Sequence, residues 1–130
     1  MTPQQFIEKW KAAELKERAA CQEHFIDLCA VLEQESPAKA DPKGTWFTFE
    51  RGLIKEAGGH GFADVWRKGC FGWEYKGKRK NLEDAYRQLS QYREALENPP
   101  LLIVCDLNRF EIRTDSTGTI KEGTKNSAGL

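Results

Sequence analysis

Phe62-Ala63-Asp64-Val65-Trp66-Arg67-Lys68-Gly69-Cys70-Phe71-Gly72-Trp73-Glu74-Tyr75-Lys76 reads as two strands and a tight turn. Phe62 to Trp66 forms one strand and Phe71 to Lys76 the other. Only Arg67 to Cys70 separate them, and Gly69 in that gap supplies the turn. Side chains alternate faces along a strand. Phe71, Trp73 and Tyr75 therefore share the natural core face, while Cys70, Gly72, Glu74 and Lys76 share the other. Closing the hairpin through Lys68-Gly69-Cys70 sets Arg67 opposite Phe71 and Asp64 opposite Glu74. Directly opposed side chains stand about 5 Å apart, and like charges there repel. A divalent cation held between the two carboxylates is the simplest reason for them to coexist. Hard oxygen ligands and retained waters suit Mg²⁺. Lys76, on the same face, is placed to neutralise charge on a phosphate or on an attacking water, and Gly72 is expected to leave that face open beside Glu74. The alternative is an ordinary hairpin with a solvated polar face and a Glu74–Lys76 ion pair.

Outward from the hairpin the signals alternate between helix and strand. Phe6, Trp10 and Ala13 recur at helical spacing, as do Phe25, Leu28, Cys29 and Leu32. Ser36-Pro37 and Asp41-Pro42-Lys43-Gly44 end that helical third in a loop. Thr45 to Glu50 is rich in β-formers, and a short helix or loop runs on to Gly58-Gly59. Asn81 caps a helix starting at Leu82, with Glu83 and Asp84 in its first turn. Ala85, Leu89, Tyr92 and Leu96 form its apolar stripe, and Asn98-Pro99-Pro100 stops it. Leu101 to Cys105 is a continuous apolar run, the pattern of a central strand buried on both faces. Asp106-Leu107-Asn108 turns into a last strand, Arg109 to Thr114. The order predicts an α/β (α+β) domain with a mixed sheet flanked by helices. Residues 1–114 read as that domain, and residues 115–130, rich in Gly, Thr, Ser and Lys, as a tail or the start of a linker.

Three further side chains are candidates for the site. Gln88 and Tyr92 are four apart and share a helix face. Gln88 is hard to explain as core and could orient catalytic groups or touch nucleic acid, whereas the ring of Tyr92 suits core packing. Glu17 and His24 are seven apart on the edge of a buried stripe. Glu17 could reach the metal site, or simply pair with Arg18 or a lysine. Glu23 points nearly the opposite way, and His24 by itself points to no chemistry.

The bulk properties bound these readings. The chain has 130 residues, 39% hydrophobic and 31% charged, which suits one globular domain. No apolar run approaches the ~20 residues of a membrane helix, and Met1 to Gln5 carries no signal-peptide pattern. A cytoplasmic, non-membrane protein is expected. Cys21, Cys29, Cys70 and Cys105 include no C-x-x-C pair, which argues against structural zinc; Cys29 and Cys105 read as buried thiols. A net charge of +0 excludes a purely electrostatic nucleic-acid binder. Between Arg67 and Lys80, however, Arg67, Lys68, Lys76, Lys78, Arg79 and Lys80 face Glu74 alone, a segment suited to phosphate or to solvent.

These residues resemble the PD-(D/E)xK nuclease superfamily, with Asp64 as its Asp and Glu74-Tyr75-Lys76 as its ExK. Gln88 to Tyr92 resembles the QxxxY helix of its exonuclease-like members. A closer resemblance is to the N-terminal nuclease domain of the MmeI-like type II restriction-and-modification enzymes. It is carried by ERAACQEHFIDLC, by GFADVWRKGCFGWEYKGKRKNLEDAYRQLSQYREALENPPLLIVCD and by RFEIRT, spanning Glu17 to Thr114. Leu32-Glu33-Gln34-Glu35 departs from the family, which often has a glycine soon after the first helix. The resemblance implies a restriction-endonuclease-like core hydrolysing double-stranded DNA with Mg²⁺, Mn²⁺ being able to substitute. Asp64, Glu74 and Glu17 would hold metal, with Lys76, Gln88 and Tyr92 completing the site. It also implies a parent chain of prokaryotic origin that carries an S-adenosylmethionine-dependent adenine methyltransferase and a target-recognition domain, and pairing of two enzymes on DNA. No methyltransferase motif occurs in these residues; Asn98-Pro99-Pro100-Leu101 lacks the tyrosine of that signature. Two other readings compete: a catalytically silent nuclease-fold module docked on a methyltransferase, and a structure-specific nuclease acting alone as a homodimer.

Overall fold

The computed structural model describes residues 1–13, 17–52, 62–77, 81–116 and 119–126, those at 17–19, 115–116 and 119–126 as backbone. Helix α1 (Pro3–Ala12) opens with a capping box: the Gln5 N–H donates to Thr2 Oγ1 (3.1 Å) and the Thr2 N–H to Gln5 Oε1 (2.8 Å), with Pro3 in the first turn. Its buried Phe6 and Trp10 lie against α2 (Glu17–Val31). Asp27 of α2 accepts from both Trp10 Nε1 (3.0 Å) and Lys9 Nζ (2.8 Å), fastening the two helices. A one-turn helix, α3 (Pro37–Ala40), occupies part of the expected loop.

The six strands are β1 (Phe47–Arg51), β2 (Ala63–Arg67), β3 (Phe71–Tyr75), β4 (Leu101–Cys105), β5 (Arg109–Ser116) and β6 (Thr119–Asn126), and they lie in the sheet in chain order. Only β3 and β4 are parallel, and that pair needs a long crossover; α4 (Leu82–Ser90) supplies it. The β2–β3 hairpin forms as read: Arg67 pairs with Phe71, the Cys70 N–H reaches Arg67 O (3.0 Å), and Gly69 takes the positive φ. β1 starts two residues later than the composition suggests. The buried carboxylate of Asp41 captures the N–H groups of Trp46 (2.7 Å) and Phe47 (2.8 Å), which holds Thr45-Trp46 in the loop. Burial by itself would raise the Asp41 pKa, but these two bonds, together with those from Thr45, keep the carboxyl below the usual range.

Both faces of the central strands are covered. On one face Phe71, Trp73 and Tyr75 pack with Phe6, Trp10, Phe25, Phe47, Val65 and Phe110. On the other, Trp66, Leu102 and Val104 meet Leu82, Ala85, Leu89 and Leu96. The face expected to stay open beside Gly72 is therefore filled: a Cβ on Gly72 would stand 2.8 Å from Leu96 Cδ1. Three other expectations give way. Leu32, read as part of the buried stripe, is exposed because α2 ends at Val31. The helix read through Leu96 ends at Ser90, and the next seven residues continue as turns. Thr119–Asn126, read as tail, pairs along its length with β5; its polar sequence is what an edge strand tolerates. The segment up to Gly58-Gly59 lies outside the described residues.

Candidate functional site

Asp64 lies where β2 and β3 part. The ladder runs Arg67–Phe71, Trp66–Gly72, Val65–Trp73 and stops one step short of Asp64 and Glu74. At this point the Tyr75 N–H, which would continue the ladder to a β2 carbonyl, donates instead to Asp64 Oδ2 (2.8 Å). One carboxylate oxygen is anchored by main chain. Glu74 is half-buried on the adjoining strand. Lys76 follows β3 directly; its N–H reaches Cys105 O (2.8 Å), prolonging the parallel pairing. Its ammonium donates to Gln88 Oε1 (3.3 Å) on α4. Lys76 and Gln88 thus meet on the α4 side, near the carboxyl ends of the parallel pair, where ligands of α/β sheets characteristically bind, and Asp64 is tied to the neighbouring Tyr75.

The remaining candidates stand apart. The Tyr92 ring lies past the end of α4 against Phe62, centroids 5.1 Å apart, and packs on the hydrophobic cluster there. The side chain of Glu17 lies outside the described residues, as do Lys78, Arg79 and Lys80. Glu23 is engaged with Lys9 (2.5 Å). Among the described residues no three His, Cys, Asp or Glu side chains cluster in a way that could hold a metal ion. A cation here would rest on Asp64, Glu74, main-chain oxygen and water, which suits Mg²⁺, an ion that dehydrates reluctantly.

Two arrangements escaped the sequence reading. The first lies on the same face as the site. Arg113, 7% exposed, pairs with Glu83 of α4 and with Glu111 (2.6 Å), and its guanidinium lies 3.7 Å over the Tyr86 ring. Burial disfavours its charge, but the two carboxylates more than offset this, and its pKa moves up while Glu83 is held below the usual range. Glu111 lies in the row of Glu74 through Val104 and faces Arg113 in this ion pair. The alternation Glu111-Ile112-Arg113 was the available signal. The second is His24, fully buried among Phe6, Trp10, Tyr75 and Phe110, with Nδ1 2.8 Å from Tyr75 Oη. Burial pushes its pKa down to about 4.

The family model described as MmeI, N-terminal domain, matches residues 1–124. No curated protein and no solved structure gives a significant match to the chain. No helix among the described residues is long and apolar enough to cross a membrane.

Proposed function

We propose that this chain, which belongs to the MmeI N-terminal domain family of restriction enzymes, is a metal-dependent DNA endonuclease domain of the PD-(D/E)xK type. The observation that supports this best is the Asp64 carboxylate held by the Tyr75 N–H at 2.8 Å, with Glu74 and Lys76 flanking Tyr75 in the chain. A carboxylate fixed by main chain is pre-oriented, so little ordering cost is left for ligand binding. Asp64 and Glu74 would hold a divalent ion, Mg²⁺ or Mn²⁺, which when bound supplies a nucleophilic water and polarises the phosphate. Lys76 donates to a phosphate oxygen or to the attacking water. Gln88 keeps the ammonium aimed through its Oε1. Glu17 at the start of α2 is a candidate third ligand, and Tyr92 supports the helix end rather than the chemistry.

The substrate is double-stranded DNA. With a net charge of +0 the domain has little unspecific affinity of its own, so binding and sequence choice belong to methyltransferase and target-recognition parts of a longer parent chain, with S-adenosylmethionine serving only those parts. Cutting both strands calls for two active sites, hence pairing of enzymes on DNA. The test is nicking of supercoiled plasmid with Mg²⁺ by the domain joined to its genomic downstream sequence. Lys76→Ala is expected to lower the rate by at least 10²-fold; equal nicking by both proteins would remove the mechanism. A second reading, a silent docking module, draws on the two-carboxylate site, which lacks a third described ligand. It requires that calorimetry detect no Mg²⁺ or Mn²⁺ binding that Asp64→Ala abolishes.

A further inference from the structure

Arg51, the last residue of β1, is a feature that the hairpin reading does not use. Its guanidinium carbon lies 4.4 Å over the ring of Trp66. Trp66 is fully buried, and its own Nε1–H is committed to Leu96 O (2.9 Å), so the platform under Arg51 is rigid. Backbone geometry explains how the side chain arrives there. Phe49 pairs with Val65 and packs on Phe25, on the α1–α2 face. Strand alternation would send Arg51 to that face too, but Glu50 adopts φ 54°, and the next side chain turns onto the α4 face.

That placement leaves Arg51 with unmet bonding capacity. No described carboxylate forms an ion pair with it, and its Nε–H is buried without an acceptor. A buried donor left unsatisfied is costly. A guanidinium held flat by stacking, with no described carboxylate paired to it, is suited to binding phosphate through N–H···O bonds. Arg51 pairs across the sheet with Ala63, the residue before Asp64 on β2, and its guanidinium stacks on Trp66, two residues after Asp64, so it spans the stretch of β2 that carries Asp64.

We propose that Arg51 is a binding residue for a backbone phosphate of the substrate strand near the scissile one, registering DNA on the Asp64 site. This rests on the nuclease reading above. The test is fluorescence anisotropy of a short labelled duplex with the domain joined to its genomic downstream sequence, in EDTA and over a range of salt, with thermal midpoints as a fold control. Arg51→Ala is expected to weaken binding about tenfold at low salt and to reduce the log–log salt slope by about one. Arg51→Lys should restore the slope but only part of the affinity. Arg87→Ala, the same charge loss on the exposed side of α4 (side chain 70% exposed), should change neither. In wild type, the ¹⁵N-detected Arg51 Nε–H resonance should shift on titration of the duplex, a readout that needs no folded variant. An unchanged slope in Arg51→Ala, a stationary resonance, or no binding by wild type would overturn the proposal. Its failure is separable from that of the nuclease reading: Mg²⁺-dependent nicking lost in Lys76→Ala, with a normal Arg51→Ala slope, sinks only the phosphate contact.

Discussion

Glu33 sits where helix ends usually carry glycine. The Gln34 N–H reaches Cys29 O (2.8 Å) and the Glu33 N–H reaches Ala30 O (3.2 Å), which is the Schellman closure of α2, with Glu33 at φ 56°. A left-handed β-carbon costs roughly 1–2 kcal/mol, offset in part by the greater chain entropy of glycine. Glu33→Gly is therefore expected to stabilise the fold by about 0.5–1 kcal/mol, visible as a higher urea midpoint with an unchanged slope; a lower midpoint would show that Glu33 makes a compensating contact. The sequence marks this residue only as a departure from family habit. At the site the same scale was more legible. The closure that pairs Arg67 with Phe71 follows from turn length and strand period alone. The Tyr75 N–H bond to Asp64 does not, because it depends on the strands parting one residue beyond the last ladder pair.

α4 is short because its last turn tightens. Tyr92, Arg93 and Glu97 donate to carbonyls three residues back, and the Asn98 N–H returns to Arg93 O (2.8 Å) with Glu97 and Asn98 at positive φ. The apolar spacing nevertheless located Leu96 correctly as buried, since burial follows side-chain placement and not the hydrogen-bond class. What periodicity could not disclose was the partner of that stripe. Gly72 reads as an opening from sequence, but Leu96 Cδ1 and Leu102 Cδ2 would lie 2.8 and 3.3 Å from a β-carbon placed on it. Gly72→Ala should destabilise by roughly 1–3 kcal/mol through overpacking. Leu96→Val combined with it should recover part of that loss, a coupling that a double-mutant cycle in chemical denaturation would register. Strictly additive effects would mean that the crowding lies elsewhere.

The whole molecule is a sheet held between two unlike layers, and their coupling sets its response to acid. The α1–α2 layer meets β3 through His24 and Tyr75, deep in the aromatic core. No residue pattern announced this contact, because a lone histidine on an apolar helix edge is equally compatible with solvent. Burial drops the His24 pKa from 6.5 to about 4, against the weaker opposing field of Asp27. The unfolded chain takes up this proton below pH 6.5 while the folded chain resists until about 4, so the stability contributed by neutral His24 is present above 6.5 and is lost as pH falls through that window. The size of the shift corresponds to about 3 kcal/mol, a large share of the stability of a small domain. Asp41 and Glu83 have depressed folded pKa values; their contributions fade only below the usual carboxylate range and extend the loss to lower pH. Urea unfolding at pH 7 and pH 4.5 should therefore show a steep loss in wild type. His24→Gln, which keeps an acceptor for the Tyr75 hydroxyl but cannot titrate, should flatten most of it. A loss of the same size in His24→Gln would move the acid sensitivity out of the aromatic core and onto the carboxylates.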